Sequence, residues 1–226
     1  MPPDERQIRR VLALLRSVQG PFVPKPKLPP VDELVATVLS QNTSDVNSER
    51  AFAGLKGRFP SWVEVVRAGT AAVADAIRAG GLAEIKAPRI QRILATIEER
   101  EGKIDLERLR RLPDAEVEAY LRSLPGVGRK TAACVLVFSL GRPAFPVDTH
   151  VHRVAGRLGW IPVAASADAA HDLLAEAIPP DIRYDLHVAL ISHGRTLCRP
   201  RNPACPDCPV RDLCVFGAGK ANTRLR

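Results

Sequence analysis

Along this chain apolar residues recur at three- and four-residue spacing between frequent stop signals, and no run alternates apolar with polar as a half-buried strand does. Ile8, Val11, Leu12 and Leu15 mark an amphipathic opening helix. Residues 23–30, Val-Pro-Lys-Pro-Lys-Leu-Pro-Pro, cannot be helical and read as a semi-rigid connector. Asp32 is placed to cap a helix carrying Leu34, Val35, Val38 and Leu39, and Ser44 or Asp45 starts another with Val46, Phe52 and Leu55. Ser61 and Thr70 are candidate N-caps for two more helices, the second ended by Gly80-Gly81. Pro88 fits the first turn of a helix that begins near Lys86 and ends at Glu101. Pro113 separates short helices over 105–112 and 114–123. Leu124-Pro-Gly-Val-Gly128 is a tight turn before a helix over 129–140; Pro143 and Pro146 then break the chain. Further helices open near Asp148 and cover 167–178 and 182–197. The pattern predicts an all-α protein of roughly eleven helices.

Composition narrows the partner. The 226 residues hold 33 Lys and Arg against 25 Asp and Glu, a net charge of +8. A surplus of that size suits a polyanion, nucleic acid above all, although a basic protein without such a partner has the same balance. The opening MPPDERQIRR has no apolar core of a signal peptide, and the apolar stretch from Ala132 to Leu140 is too short to span a bilayer. The expected setting is a reducing cytosol, or a nucleus or organelle, where the five cysteines serve as ligands or free thiols.

Four of those cysteines fall in one segment. Cys198, Cys205, Cys208 and Cys214 are spaced C-x6-C-x2-C-x5-C, interleaved with Pro200, Pro203, Pro206 and Pro209. So much proline leaves little regular structure, and a metal centre supplies the missing crosslink. Four thiolates suit Zn²⁺ or an iron–sulfur cluster. A single close pair, with two ligands standing off, favours the wider [4Fe–4S] cluster over one small ion; unligated thiols are the third reading. Cys134, in the run Ala132-Ala-Cys-Val-Leu136, is read as a buried small apolar residue. Arg195, Arg199, Arg201 and Arg211 surround the segment, there either to meet phosphates or to neutralise the cluster's own charge.

Leu124-Pro-Gly-Val-Gly-Arg-Lys-Thr-Ala132 joins two helices through glycines that allow positive φ and close backbone approach. The amides of Gly126, Val127, Gly128, Arg129 and Thr131 then form a cradle for a phosphate; a simple αα-corner has the same glycines. Lys130 stands at a helix start beside Arg129, and both features disfavour the ammonium form; a lysine nucleophile needs the neutral amine, yet a phosphate-binding lysine also stands at such a place.

This string closely resembles the helix–hairpin–helix of the endonuclease III family of DNA glycosylases. The resemblance continues in Val147-Asp-Thr-His-Val-His-Arg153, in Leu190-Ile-Ser-His-Gly-Arg195 and in the cysteine segment, from about Leu34 to Cys214. It implies an iron–sulfur enzyme of base-excision repair: a six-helix, barrel-like domain over 23–142, a discontinuous cluster domain from 1–22 plus 143–226, and a DNA cleft between them. It implies Lys130 as Schiff-base nucleophile, Asp148 as the second catalytic group, and a [4Fe–4S] cluster on the four cysteines. The partner is double-stranded DNA with damaged bases or abasic sites, met by a monomer in the cytoplasm, on the nucleoid in a prokaryote.

Base excision needs the target flipped out of the stack. In the resembling family a Gln in Leu-Ser-x-Gln fills the gap; here the string is Leu39-Ser-Gln-Asn42, so the filler is Asn42 or, by a local shift, Gln41. Leu82 matches the family's wedge, although an apolar residue there also fits a core. His150 matches a position near DNA, and Arg199 and Arg201 are counted with the DNA contacts. His152 reads as solvent-facing and His193 as structural. Ala83 and Arg122 depart from the family pattern and leave base preference open. The reading is a bifunctional glycosylase and abasic-site lyase acting on oxidised pyrimidines. Its rivals are an adenine-type glycosylase, disfavoured because Lys130 is present, and a non-catalytic iron–sulfur protein that binds DNA or senses redox state.

Overall fold

The computed structural model describes residues 3–20, 22 and 27–222, and among them every regular element is helical. Part of the 23–30 connector, residues 23–26, lies outside the described residues. The helices are α1 (Glu5–Gln19), α2 (Pro30–Leu39), α3 (Asp45–Arg58), α4 (Trp62–Arg67), α5 (Thr70–Ala76), α6 (Ala83–Glu101), α7 (Asp114–Arg122), α8 (Arg129–Cys134), α9 (Thr149–Leu158), α10 (Ala167–Ala177), α11 (Arg183–Thr196) and α12 (Val215–Asn222). The backbone divides into two compact units, Lys27–Arg142 and Met1–Pro26 with Pro143–Arg226.

The Lys27–Arg142 unit is built around α2. Val31, Leu34, Val35, Val38 and Leu39 are all buried, more than one face of a helix can supply. Such a helix must be covered on several sides, and α3, α6 and α8 pack on it. Asp32 does not cap it. Pro29 and Pro30 start the helix two residues earlier, and the Asp32 carboxylate accepts from Trp62 Nε1 at 2.8 Å and pairs with Lys56 at 3.4 Å. Ser44 and Ser61 cap as expected, accepting from Asn47 N and Glu64 N. Thr70 is instead the first residue of α5, after Gly69, and its hydroxyl donates to Gln91 Oε1 at 2.8 Å. The helix expected from Lys86 begins at Ala83, with Leu82 ahead of it in the left-handed region, and the expected 105–112 helix is a 3₁₀ turn, Glu107–Arg111. After Cys134 the α8 run continues as a π turn over Val135–Ser139.

The other unit packs α1 and α9 on α11. Ile8, Val11, Leu12 and Leu15 of α1 are buried as their spacing requires, with Val151, Val154 and Leu158 of α9 and Leu186 and Leu190 of α11. The crossing of α9 and α11 is close: a Cβ on Gly194 would lie 3.0 Å from the Cβ of His150. Beyond α11 the cysteine segment is held mainly by turns, and the chain then enters α12, an element the sequence pattern did not foretell. No helix among the described residues is long and apolar enough to cross a membrane.

Candidate active site and cysteine centre

The hairpin is defined at its turn. Val127 N bonds to Leu124 O at 3.1 Å, with Pro125 and Gly126 between and Gly126 at φ 75°. Proline followed by a positive-φ residue is the type II arrangement, and it exposes Gly126. The Arg89 side chain lies against it, Nε 3.2 Å from where a Cβ would stand. Gly128 is extended at the N-cap of α8 and offers no side-chain oxygen to the helix start. Lys130, second residue of α8, is half-buried; Val127 and Thr131 have buried side chains, so what they offer a ligand is main chain. Arg129 pairs with Glu118 at 3.7 Å, a carboxylate that also takes Arg122 at 3.2 Å. One negative charge shared by two guanidinium groups leaves the hairpin net positive.

Two loops of the same unit carry strained residues. Asn42 and Leu82 have φ of 54° and 52°, a region that side chains other than glycine rarely adopt. Both are exposed, Leu82 at 48%, so the wedge candidate does not pack into the core. Gln41 is half-buried and its Oε1 accepts from Arg89 Nη1 at 3.0 Å. Arg89 thus joins the Gln41 loop to the hairpin turn. Ala83 is buried at the start of α6.

In the second unit Asp148 caps α9, accepting from Val151 N at 2.7 Å, and the carboxylate is half-buried. Two buried histidines brace the segment before it: His171 Nε2 lies 3.4 Å from Val147 N and His187 Nδ1 2.9 Å from Pro146 O. His150 Nδ1 accepts from Arg153 at 3.1 Å, and burial holds His150 below the usual imidazole range against the pull of Asp148. His152 does not simply face solvent; its Nε2 lies 2.9 Å from Ala165 O. Spacing alone gave no sign of His171, His187 or Arg153, because their partners lie 24, 41 and 45 residues away.

Cys198, Cys205, Cys208 and Cys214 line one cavity with apolar walls from Val154, Leu158 and Phe216. Arg157 organises its rim, donating to Cys198 Sγ at 3.2 Å, Arg199 O at 2.8 Å and Pro200 O at 3.0 Å, with Phe216 under its guanidinium at 4.6 Å. Arg153 adds bonds to Cys198 O and Gly194 O. Burial pushes the Cys208 thiol up to about 11 and raises that of Cys214. His193 is buried, with Nε2 3.6 Å from Cys208 Sγ and Nδ1 without a partner among the described residues. No three His, Cys, Asp or Glu side chains among the described residues converge closely enough to hold a metal ion. Arg199 and Arg201 are exposed beside the segment, and Cys134 is buried in α8 of the other unit.

A glycine-turned hairpin between two helices, in a chain whose described elements are all helical, defines a helix–hairpin–helix protein. Residues 35–180 match the family described as HhH-GPD superfamily base excision DNA repair protein. Endonuclease III of Thermotoga maritima is 36% identical over 199 residues, covering 87% of this chain and 89% of that protein. An Arabidopsis thaliana protein, provisionally named as a DNA glycosylase, is 42% identical over 190 residues; the match takes in 80% of this chain and 64% of that relative, a little under two thirds of its length. Among solved structures, a trapped Endonuclease III–DNA covalent intermediate matches with a TM-score of 0.83 at 29% identity, over 97% of this chain and 99% of that one. The chain belongs to the HhH-GPD superfamily of base excision DNA repair proteins, a DNA glycosylase family.

Proposed function

We propose that this protein is a bifunctional DNA glycosylase and abasic-site lyase that removes oxidised pyrimidines from duplex DNA. The observation that carries the reading is Lys130, an amine at the second position of a helix with no side-chain cap, directly after a positive-φ glycine turn. Backbone amides at such a start suit a phosphate, which would bring the sugar to the amine without reading sequence. The likeness to a structure that contains a covalent enzyme–DNA intermediate supports the same chemistry.

In this reading Lys130 Nζ attacks C1′ of the damaged nucleotide. The C1′–N bond breaks, and its electron pair leaves with the base, which takes up a proton. The new amine gives its proton to O4′ with Asp148 as carrier, the C1′–O4′ bond opens, and an imine joins Nζ to C1′. Loss of a C2′ proton expels the 3′ phosphate and nicks the strand; water then hydrolyses the imine and frees Lys130. Before base loss, the Asp148 carboxylate stabilises positive charge on the sugar. Leu82 wedges the partner strand and Asn42 fills the gap. Asn42 is preferred to Gln41 because it stands exposed in the left-handed region, whereas the Gln41 carbonyl is already held by Arg89.

Cys198, Cys205, Cys208 and Cys214 would hold a [4Fe–4S] cluster. Four thiols lining one cavity with apolar walls, in the C-x6-C-x2-C-x5-C spacing, are the donor set that such a cluster takes. Bound there, it would crosslink a segment held mainly by turns. The protein's own part is to direct Arg157 and Arg153 at Cys198 and to exclude water with Val154, Leu158 and Phe216. Iron analysis and a yellow-brown colour are expected; a colourless protein with one zinc per chain overturns this assignment.

Duplexes carrying thymine glycol, an abasic site or an adenine mispair, incubated with the iron-loaded protein and borohydride, test the reaction. A covalent adduct on the first two is expected, lost in Lys130→Gln. No adduct with the wild type, or adenine release without one, overturns the lyase reading.

A further inference from the structure

Lys86 is 2% exposed, and its ammonium makes its bonds to two main-chain carbonyls, Leu39 O at 2.7 Å and Gly80 O at 2.9 Å. Neither partner carries charge. Burying an ammonium in this way is unfavourable, and desolvation holds Lys86 below the usual lysine range. Simple packing at this point of α6 would be met better by an apolar residue, so the cation has to be explained by what it joins.

Both carbonyls lie where strained loops begin. Leu39 ends α2, three residues before Asn42, and its carbonyl is one of those a helix leaves without an internal partner. Gly80 closes a 3₁₀ turn two residues before Leu82. Gly80 is pinned on its other side as well, since a Cβ there would come within 2.9 Å of Ala51 Cβ. Among the described residues Asn202 alone joins Asn42 and Leu82 as a non-glycine residue at positive φ. Strain of this kind persists when its surroundings over-determine it. Removing the ammonium would free both loop roots together, and the left-handed conformers would relax.

We propose that Lys86 is a positioning residue: by tying the Leu39 and Gly80 carbonyls to one ammonium, it holds the Asn42 and Leu82 loops in the form that enters the DNA stack. This rests on the glycosylase reading above. Lys86 touches neither base nor sugar. It acts through the two loops, so its loss lowers base unstacking more than it lowers stability.

The test is a double-mutant cycle read by fluorescence. A duplex with 2-aminopurine opposite thymine glycol brightens as the wedge unstacks the orphaned base. Leu82→Ala and Lys86→Met should each slow brightening by on the order of tenfold, the change that follows from losing one strained conformer's preference. The double variant should be no slower than either single one, because both remove the same insertion. Losses that multiply to about a hundredfold, or a Lys86→Met protein that unstacks at the wild-type rate, overturn the proposal. Lys86→Gln, which keeps an N–H donor, should fall between wild type and Lys86→Met; it replaces Lys86→Met in the cycle if that variant fails to fold by circular dichroism. A wild type that neither brightens the probe nor forms the borohydride adduct defeats the functional reading itself, and this inference with it.

Discussion

Two helices begin at the residues proposed for the chemistry, and they begin in opposite ways. Helix α9 is closed by its own side chain: Asp148 Oδ1 takes Val151 N at 2.7 Å. Helix α8 opens from Gly128, which has no side-chain atom to offer. The first start is internally satisfied and fixes a carboxylate in one rotamer. The second is turned outward, with a lysine at its second residue. Both are ordinary helix N-termini by backbone geometry. What separates them is where the capping oxygen comes from: in α9 from the protein, in α8 from the outside ligand that the hairpin is proposed to bind.

Asp148 offers the harshest way to break this comparison, because its cap and its charge can be separated. Asparagine caps a helix about as well as aspartate, so Asp148→Asn should unfold within roughly 0.5 kcal/mol of the wild type in urea. Single-turnover base release should nevertheless fall by about a hundredfold or more, the scale of a lost proton-transfer and charge-stabilising group. Asp148→Ala should lose the same activity and a further ~1 kcal/mol of stability. Equal activities in Asn and wild type would leave Asp148 as a cap and nothing else.

Side-chain capping is a short-range property, and the sequence was most legible where it acts. Ser44, Ser61 and Asp148 each bond an amide three residues on, and each was readable from its neighbours. Asp32 and Thr70 carried the same local signal but turned to Trp62 and Gln91, 30 and 21 residues away. Lys86 gave no signal at all. A lysine at the start of a helix is ordinarily solvated, and the Leu39 carbonyl it reaches is 47 residues earlier. The apolar spacing of α1 and the burial of Leu34, Val35, Val38 and Leu39 in α2 follow from periodicity, whereas the positive φ of Leu82 and Asn42 depends on how distant loops are held. The hairpin was legible as a string, but its tie to Gln41 through Arg89 was not, because that contact spans 48 residues.

A smaller effect is expected at the turn itself. Gly126→Ala puts a Cβ at φ 75° and within 3.2 Å of Arg89 Nε. The conformation is strained for any side chain, and Arg89 must also shift, so a loss of about 1 kcal/mol or more in urea denaturation follows. Affinity for an abasic-site duplex, measured by anisotropy, should drop on the order of tenfold, since the turn aims the α8 amides. An unchanged affinity with the stability loss would mean that the hairpin turn serves only the fold.

The smallest predicted change is the most discriminating, because the two properties move in opposite directions. Gly128 has an ordinary φ of −94°, and nothing stands within 4 Å of a Cβ built there. Gly128→Ser therefore fits without strain, and its hydroxyl can cap α8 as Asp148 caps α9. A serine cap is worth a few tenths of a kcal/mol over glycine, so the variant should be slightly more stable. The same hydroxyl competes with DNA phosphate for the helix-start amides, and affinity should fall severalfold at fixed salt. The slope of affinity against salt should stay the same, since no charge has been removed. A variant that is more stable and binds as well as the wild type would show that the open start of α8 is a matter of folding, and the contrast with α9 would carry no functional meaning.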